Sequence, residues 1–296
     1  MPRIGPDTLA IGCMRLSTEP GRDEALAIAT LHAALDAGVT LLDTADAYCL
    51  HQGEAGHGER LIAKALAAWA GDRARVQVAT KGGLTRPGGR WEADGRGRHL
   101  RAACEASLRA LGADRLALYQ LHAPDPRTPL ATSVRALAAL QREGLVERIG
   151  VCNVTFGQLR EVADVAEVAA VQVELSPWSF EPLPSGILEW CVDHGVALLA
   201  HRPLGGPGGR GRQAGDATLR SVAARPGASP AEVVRAWLRS LAPVVVPLPG
   251  PTTPAHARSA VRAARLVLTP EDAVELDARF SAGALARRPR AERRPP

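Results

Sequence analysis

The chain has 296 residues, 46% of them hydrophobic, which is ample for a large core. Its net charge of +5 sits mainly at one end: Arg287, Arg288, Arg290, Arg293 and Arg294 against Glu292 give +4, leaving +1 for the rest (5 minus 4). A broadly basic body is thereby excluded, and the tail 284–296, lacking interleaved aromatics, reads as a solvated, disordered end with no specific nucleic-acid role.

Short apolar runs alternate with longer amphipathic ones along the chain. LAIGC (9–13) opens the series as a strand. VTLLDTA (39–45) is the second strand, followed by the helical HGERLIAKALAAWA (57–70). RVQVATK (75–81) and RLALYQLH (115–122) flank the helical RHLRAACEASLRAL (98–111), whose Leu100, Cys104, Leu108 and Leu111 repeat at three- and four-residue steps. PLATSVRALAALQREG (129–144) precedes the strand VERIGVCN (146–153), and FGQLREVADVAE precedes AAVQVEL (169–175). SGILEWCVDHG leads to VALLAHRP (196–203), SPAEVVRAWLRSLA (229–242) to PVVVPLPG (243–250), and TPAHARSAVRAARL closes the pattern. Glycines at 38, 144 and 195 follow helical runs, where the left-handed turn of a helix end favours them.

Eight strands, each followed by a helical segment and too uniformly apolar for a half-exposed sheet, predict a parallel sheet covered by helices. Eight repeats fit a single (β/α)8 barrel over residues 1–283; a doubly wound open sheet is the alternative, weakened because AIGCMRLS after the first strand lacks GxGxxG. In a barrel, loops 46–58, 82–97, 123–128, 176–184 and the long Gly/Arg-rich 201–229 gather on the C-terminal face, where active sites form.

Five scattered cysteines (13, 49, 104, 152 and 191) show no metal-type spacing and read as reduced thiols of a cytoplasmic protein. The start MPRIGPDTLAIG does not read as a secretory signal, and no apolar run approaches the ~20 residues of a membrane helix.

Polar residues stand where the strands finish. Strand two ends at Asp43, with Tyr48 just past it; strand three ends at Lys81, strand four at His122 and strand five at Asn153, while strand six holds Gln172. Each has a plainer use: Asp43 capping a turn, Lys81 at the surface, His122 or Gln172 as satisfied polar groups, Tyr48 as packing, Asn153 closing a turn. Together at one rim they predict chemistry. Lys81 paired with Asp43 would lower the phenol pKa of Tyr48 from about 10 and make it a proton donor and acceptor. His122 could hydrogen-bond a substrate carbonyl. The combination fits carbonyl reduction.

DTADAY with Asp43 and Tyr48, ATKGG with Lys81, and LYQLHAPD with His122 resemble the aldo-keto reductase family, over about Leu9 to Leu268. The resemblance implies a (β/α)8 barrel binding NADPH in extended form, with Tyr48 as general acid/base, Lys81 and Asp43 tuning it and His122 aligning the carbonyl. It also implies cofactor contacts from Gly12, Met14, Asp43, Asn153, Gln172, His201, Arg202, Leu204, Gly206, Gly250, Thr252, Thr253 and His256. Cys152 stands where the family's GVSN turn has Ser, and His201 where it has an aromatic. His256 takes the position of the basic group that holds the 2′-phosphate, so NADH is admitted beside NADPH. Substrate-facing candidates are Cys49, His51, Trp91 and Trp178, around an open pocket for a small-molecule aldehyde or ketone. A cofactor-binding regulatory subunit and a same-fold isomerase or dehydratase are the rival readings. Oligomeric state is not legible.

Overall fold

A computed structural model describes residues 3–206 and 209–280, the side chain of Arg210 excepted. The tail 284–296 lies outside the described residues. Among the described residues ten strands occur in chain order: β1 Ala10–Gly12, β2 Leu41–Asp43, β3 Gln77–Gly82, β4 Leu84–Thr85, β5 Glu92–Ala93, β6 Leu118–Leu121, β7 Ile149–Cys152, β8 Ala170–Glu174, β9 Ala197–His201 and β10 Val245–Leu248. Eight of them pair in parallel in the order β1-β2-β3-β6-β7-β8-β9-β10. The Gly12 amide donates to the Pro249 carbonyl across 2.8 Å, joining the first and last strands, so the sheet closes into the (β/α)8 barrel that the alternating pattern predicts.

Register decides which side chains share the barrel interior. Asp43 lies opposite Gly12 and Ala79, Lys81 opposite Gln120, Gln120 opposite Gly150, and Cys152 opposite Gln172. Successive side chains alternate faces, so Ala79 and Lys81 point the same way, as do Gly150 and Cys152. The interior therefore has two storeys. The lower one is apolar: Ala10, Leu41, Ala79, Leu118, Ala170, Ala197, Leu199, Val246 and Leu248 pack together with Ile4. The upper one is polar: Asp43, Lys81, Gln120, Cys152 and Gln172, all buried. Gly150 makes room in that layer, because a Cβ there would meet the Ala170 carbonyl at 2.8 Å and Gln120 Cγ at 3.1 Å.

Three stretches depart from the sequence expectation. Loop 82–97 carries the antiparallel hairpin β4–β5, too short to show as a period-two pattern. The stretch 201–229, read as a long loop, holds the helices Gly209–Gly215 and Ala217–Ala224 among the described residues; the Asp216 side chain caps the second by accepting from the Leu219 amide. Beyond the last barrel helix, Pro254–Arg265, one more helix runs from Pro270 to Phe280. Phe280 packs on Trp237 at 5.7 Å between centroids and on Trp178 at 6.0 Å.

No helix among the described residues is long and apolar enough to cross a membrane. All five cysteines are buried and free.

Candidate active site

The polar upper storey faces the C-terminal rim, and its centre is the Lys81 ammonium. This group has no exposed surface, and its three protons have three acceptors: Asp43 Oδ2 at 2.6 Å, the Thr44 carbonyl at 2.8 Å and the Tyr48 hydroxyl at 3.0 Å. Burial is the largest single influence and favours the neutral amine, but the Asp43 carboxylate, with Tyr48 and Cys152 adding to it, outweighs burial and holds the lysine charged, above its ordinary value. The other Asp43 oxygen accepts from Gln172 Nε2 at 3.0 Å and Gln120 Nε2 at 3.4 Å. Cys152 Sγ in turn lies 3.4 Å from Gln172 Oε1 and 3.6 Å from Gln120 Oε1. A hydrogen-bonded chain thus runs from the thiol through two amides, the carboxylate and the ammonium to the phenol.

Gln120 was not picked out by sequence reasoning. Its signal was available: it sits two residues before His122, on the strand face that carries His122 into the interior.

The expected direction of the Tyr48 shift is corrected. Burial pushes the phenol up to about 12, and the nearby Lys81 charge only partly opposes it. The hydroxyl is therefore held protonated, ready to donate. His122 sits beside it, the two rings 5.5 Å apart and nearly perpendicular. Burial, then the Lys81 charge, push the imidazole well below the usual histidine range, so it is neutral; its Nδ1 is buried with no hydrogen-bond partner.

Asn153 lies in the left-handed region at φ 57°, at the end of β7. That turn aims its amide back over the rim: Nδ2 donates to the His122 carbonyl at 2.9 Å, and Oδ1 lies 3.2 Å from His201 Nε2. Burial lowers the His201 pKa to about 4, so this ring is also neutral. Arg202, at φ 50°, is exposed and pairs with Glu174 at 3.2 Å. Gly12 and Gly250 meet at the barrel seam, where a Cβ on Gly250 would lie 3.7 Å from the Gly12 carbonyl; Met14 begins the short helix Arg15–Thr18 beside them. Leu204 and Gly206 follow Arg202 in the same loop. Thr252 precedes Thr253, whose hydroxyl caps Pro254–Arg265 by accepting from the His256 amide at 3.3 Å. Arg258 faces an open groove of about 510 Å³ on the outside of the barrel, shared with His32 and Asp36.

The substrate-facing candidates divide. Trp91 is 45% exposed, with its ring 6.3 Å from Tyr48 and 6.1 Å from His122. Cys49 has no exposed surface; its thiol turns to the Ala47 carbonyl at 3.5 Å, so it cannot line an open pocket. His51 is exposed, 3.8 Å from Glu54. Trp178 is half-buried, packing on Phe280 and lying against Gly205.

Behind the site, Glu59 accepts from the Thr80 hydroxyl at 2.6 Å in full burial. Burial raises its carboxyl pKa, against the lowering effect of the Ser107 and Thr80 hydroxyls. Burial, then the Glu59 charge, raise that of Asp46 still further. The native state therefore holds protons that the unfolded chain releases, and stability falls as pH rises from the ordinary carboxylate range through the raised values. Glu59→Gln keeps an acceptor for Thr80 while removing the charge. It is expected to raise the denaturation midpoint at neutral and alkaline pH and to leave it nearly unchanged in acid; urea titrations across pH check this.

Comparison with known proteins agrees with the geometry. The profile of the aldo/keto reductase family matches residues 8–279. An aldo/keto reductase from Klebsiella pneumoniae, solved with NADP and acetate, is 26% identical, with 92% of this chain and 90% of that one covered and a TM-score of 0.78. A glycerol dehydrogenase from Gluconobacter oxydans is 26% identical over 92% and 91%, also at 0.78. A thermostable aldo-keto reductase solved with the inhibitor epalrestat is 28% identical over 91% and 94%, at 0.77. The matched residues take in every barrel strand and the whole Asp43–Lys81–Tyr48–His122 group, and on that ground the chain belongs to the aldo/keto reductase family.

Proposed function

We propose that this chain reduces an aldehyde or ketone to an alcohol with NADPH, NADH being the alternative, and that Tyr48 delivers the proton. The observation that carries the reading is the fully engaged Lys81 ammonium, which fixes a protonated phenol beside a neutral imidazole at an open rim. Similarity to the Klebsiella pneumoniae enzyme solved with NADP supports the cofactor.

The donor set suits a nicotinamide. A carboxamide needs one donor and one acceptor, and the primary amides of Asn153 and Gln172 each offer both. His201 presents a flat neutral ring next to Asn153. Arg202 and the capped N-terminus of Pro254–Arg265 supply positive potential for phosphates. When bound, the reduced cofactor supplies a hydride to the carbonyl carbon.

The remaining chemistry belongs to the side chains. The Tyr48 hydroxyl gives its proton to the oxygen as negative charge develops there, and the Lys81 charge, 3.0 Å away, stabilises the phenolate left behind. Asp43 keeps Lys81 charged and in place. His122, neutral and unable to compete as a strong acid, orients the carbonyl by a hydrogen bond. The hydrogen-bonded Lys81–Tyr48 pair favours catalysis over a purely regulatory, cofactor-binding role.

The test is a panel of aldehydes and ketones, with NADPH and NADH consumption followed by absorbance. Carbonyl-dependent consumption of at least one cofactor is expected. Cofactor binding without turnover of any carbonyl would return the regulatory reading.

A further inference from the structure

Arg86 is 8% exposed, yet it lies in the loop region over the rim, where a buried cation has no structural necessity. Its guanidinium carbon stacks 3.9 Å from the Trp91 ring centroid. Nε and Nη2 donate to the Gly89 carbonyl at 3.1 and 2.7 Å, and Nη2 also reaches the Leu50 carbonyl at 3.3 Å. Its backbone amide donates to Gln52 Oε1 at 2.6 Å, and its carbonyl accepts from the Gln52 amide at 3.0 Å. One residue therefore binds the loop after β2 to the loop between β4 and β5. Nη1 is buried without a hydrogen-bond partner, which costs stability. An aliphatic side chain would fill the space without that cost but would give Trp91 no flat cationic platform.

The other contacts of Trp91 are the catalytic rings. Its indole stands at 85° to Tyr48 and 68° to His122, while Tyr48 and His122 meet at 77°. The three form an aromatic corner, in which Trp91 keeps 45% of its surface exposed beside the Tyr48 and His122 rings. The geometry points to Arg86 as a positioning residue. By stacking on Trp91 and tying both loops, it sets the Trp91 wall of the carbonyl pocket and so favours substrates whose carbonyl carries a flat, unsaturated substituent over those with a flexible alkyl chain. This inference rests on the reductase reading for its substrate half; the placement of Trp91 by Arg86 stands apart from it.

The experiment uses the full chain and separates the two halves. In the first arm, acrylamide quenching of tryptophan fluorescence is compared between each protein and its Trp91→Phe counterpart, which isolates the Trp91 signal. Arg86→Ala and Arg86→Met, the second keeping the aliphatic stem, should both increase quenching of Trp91, with Arg86→Lys intermediate. In the second arm, KM and kcat are measured for benzaldehyde and butanal. Losing the stack should raise the benzaldehyde KM about tenfold more than the butanal KM, the scale of one aromatic contact. On a Trp91→Ala background the Arg86 substitution should no longer separate the two carbonyls. Unchanged Trp91 quenching in both Arg86 variants overturns the positioning role, and equal KM changes for both carbonyls overturn the selectivity. If the wild type turns over neither carbonyl, the reductase reading falls, while the quenching arm still decides whether Arg86 places Trp91.

Discussion

Tyr48→Phe is expected to abolish carbonyl reduction, by about 100- to 10,000-fold in kcat, while NADPH affinity measured by fluorescence titration stays within about twofold. The substitution removes one hydroxyl from a packed site and leaves the ring on Trp91 and His122. Lys81 keeps two of its three acceptors, Asp43 and the Thr44 carbonyl, and the one buried proton left without a partner should cost the fold about 1–3 kcal/mol. The pH profile sharpens the test. With the phenol pushed up to about 12 by burial, the donor is already protonated throughout the neutral range. Reduction by the wild type should therefore be flat across neutral pH and fall only in strong alkali, whereas oxidation of the alcohol, which needs the phenolate, should climb with pH. Full turnover by the Phe variant would remove Tyr48 from the reaction.

Lys81→Met should be costly for both folding and activity. It leaves the Asp43 carboxylate in the barrel interior without a counter-charge, and breaking a buried pair from one side costs about 3–5 kcal/mol. Two amides, Gln172 and Gln120, still reach Asp43 and place the loss toward the lower end of that range. Urea denaturation of the purified variant measures it. The double variant Lys81→Met with Asp43→Asn removes the stranded charge and should recover a good part of the stability without restoring reduction. If the single variant is as stable as the wild type, the pair is not the structural keystone described here; if the double variant regains turnover, the ammonium has no part in the chemistry.

The barrel and its chemical centre were legible in the sequence because both depend on local rules. Uniformly apolar strands between amphipathic helices announce a covered parallel sheet, and Asp43, Lys81 and His122 each stand at a strand end. What escaped depended on neighbours far apart in the chain. Gln120 matters only because register sets it beside Asp43, 77 residues away. The Tyr48 shift reversed because burial, invisible in a motif, outweighs one nearby charge. Cys49 follows the tyrosine like a pocket residue, yet the turn after β2 rotates it inward. Trp178 read as a substrate-facing residue until the unexpected helix Pro270–Phe280 supplied an aromatic partner for it. Of the helices within 201–229, Gly209–Gly215 escaped because its Gly- and Arg-rich composition carries no apolar periodicity, and Ala217–Ala224 because eight residues give too short a pattern to stand out.

The engagement of all three Lys81 protons has a stereochemical consequence. One acceptor is the Thr44 carbonyl, part of the main chain, so the phenol hangs from backbone through the ammonium and cannot migrate around the barrel mouth. On the proposed reduction, the phenol meets the carbonyl oxygen from one fixed side and so constrains how the carbonyl lies. With Trp91 and His122 walling the same corner, the two faces of a prochiral ketone meet different surroundings. On the proposed reduction, handedness is set by the carbonyl face that receives the hydride, so a phenol fixed by the barrel strands and a wall supplied by the Trp91 loop would together decide which mirror image forms.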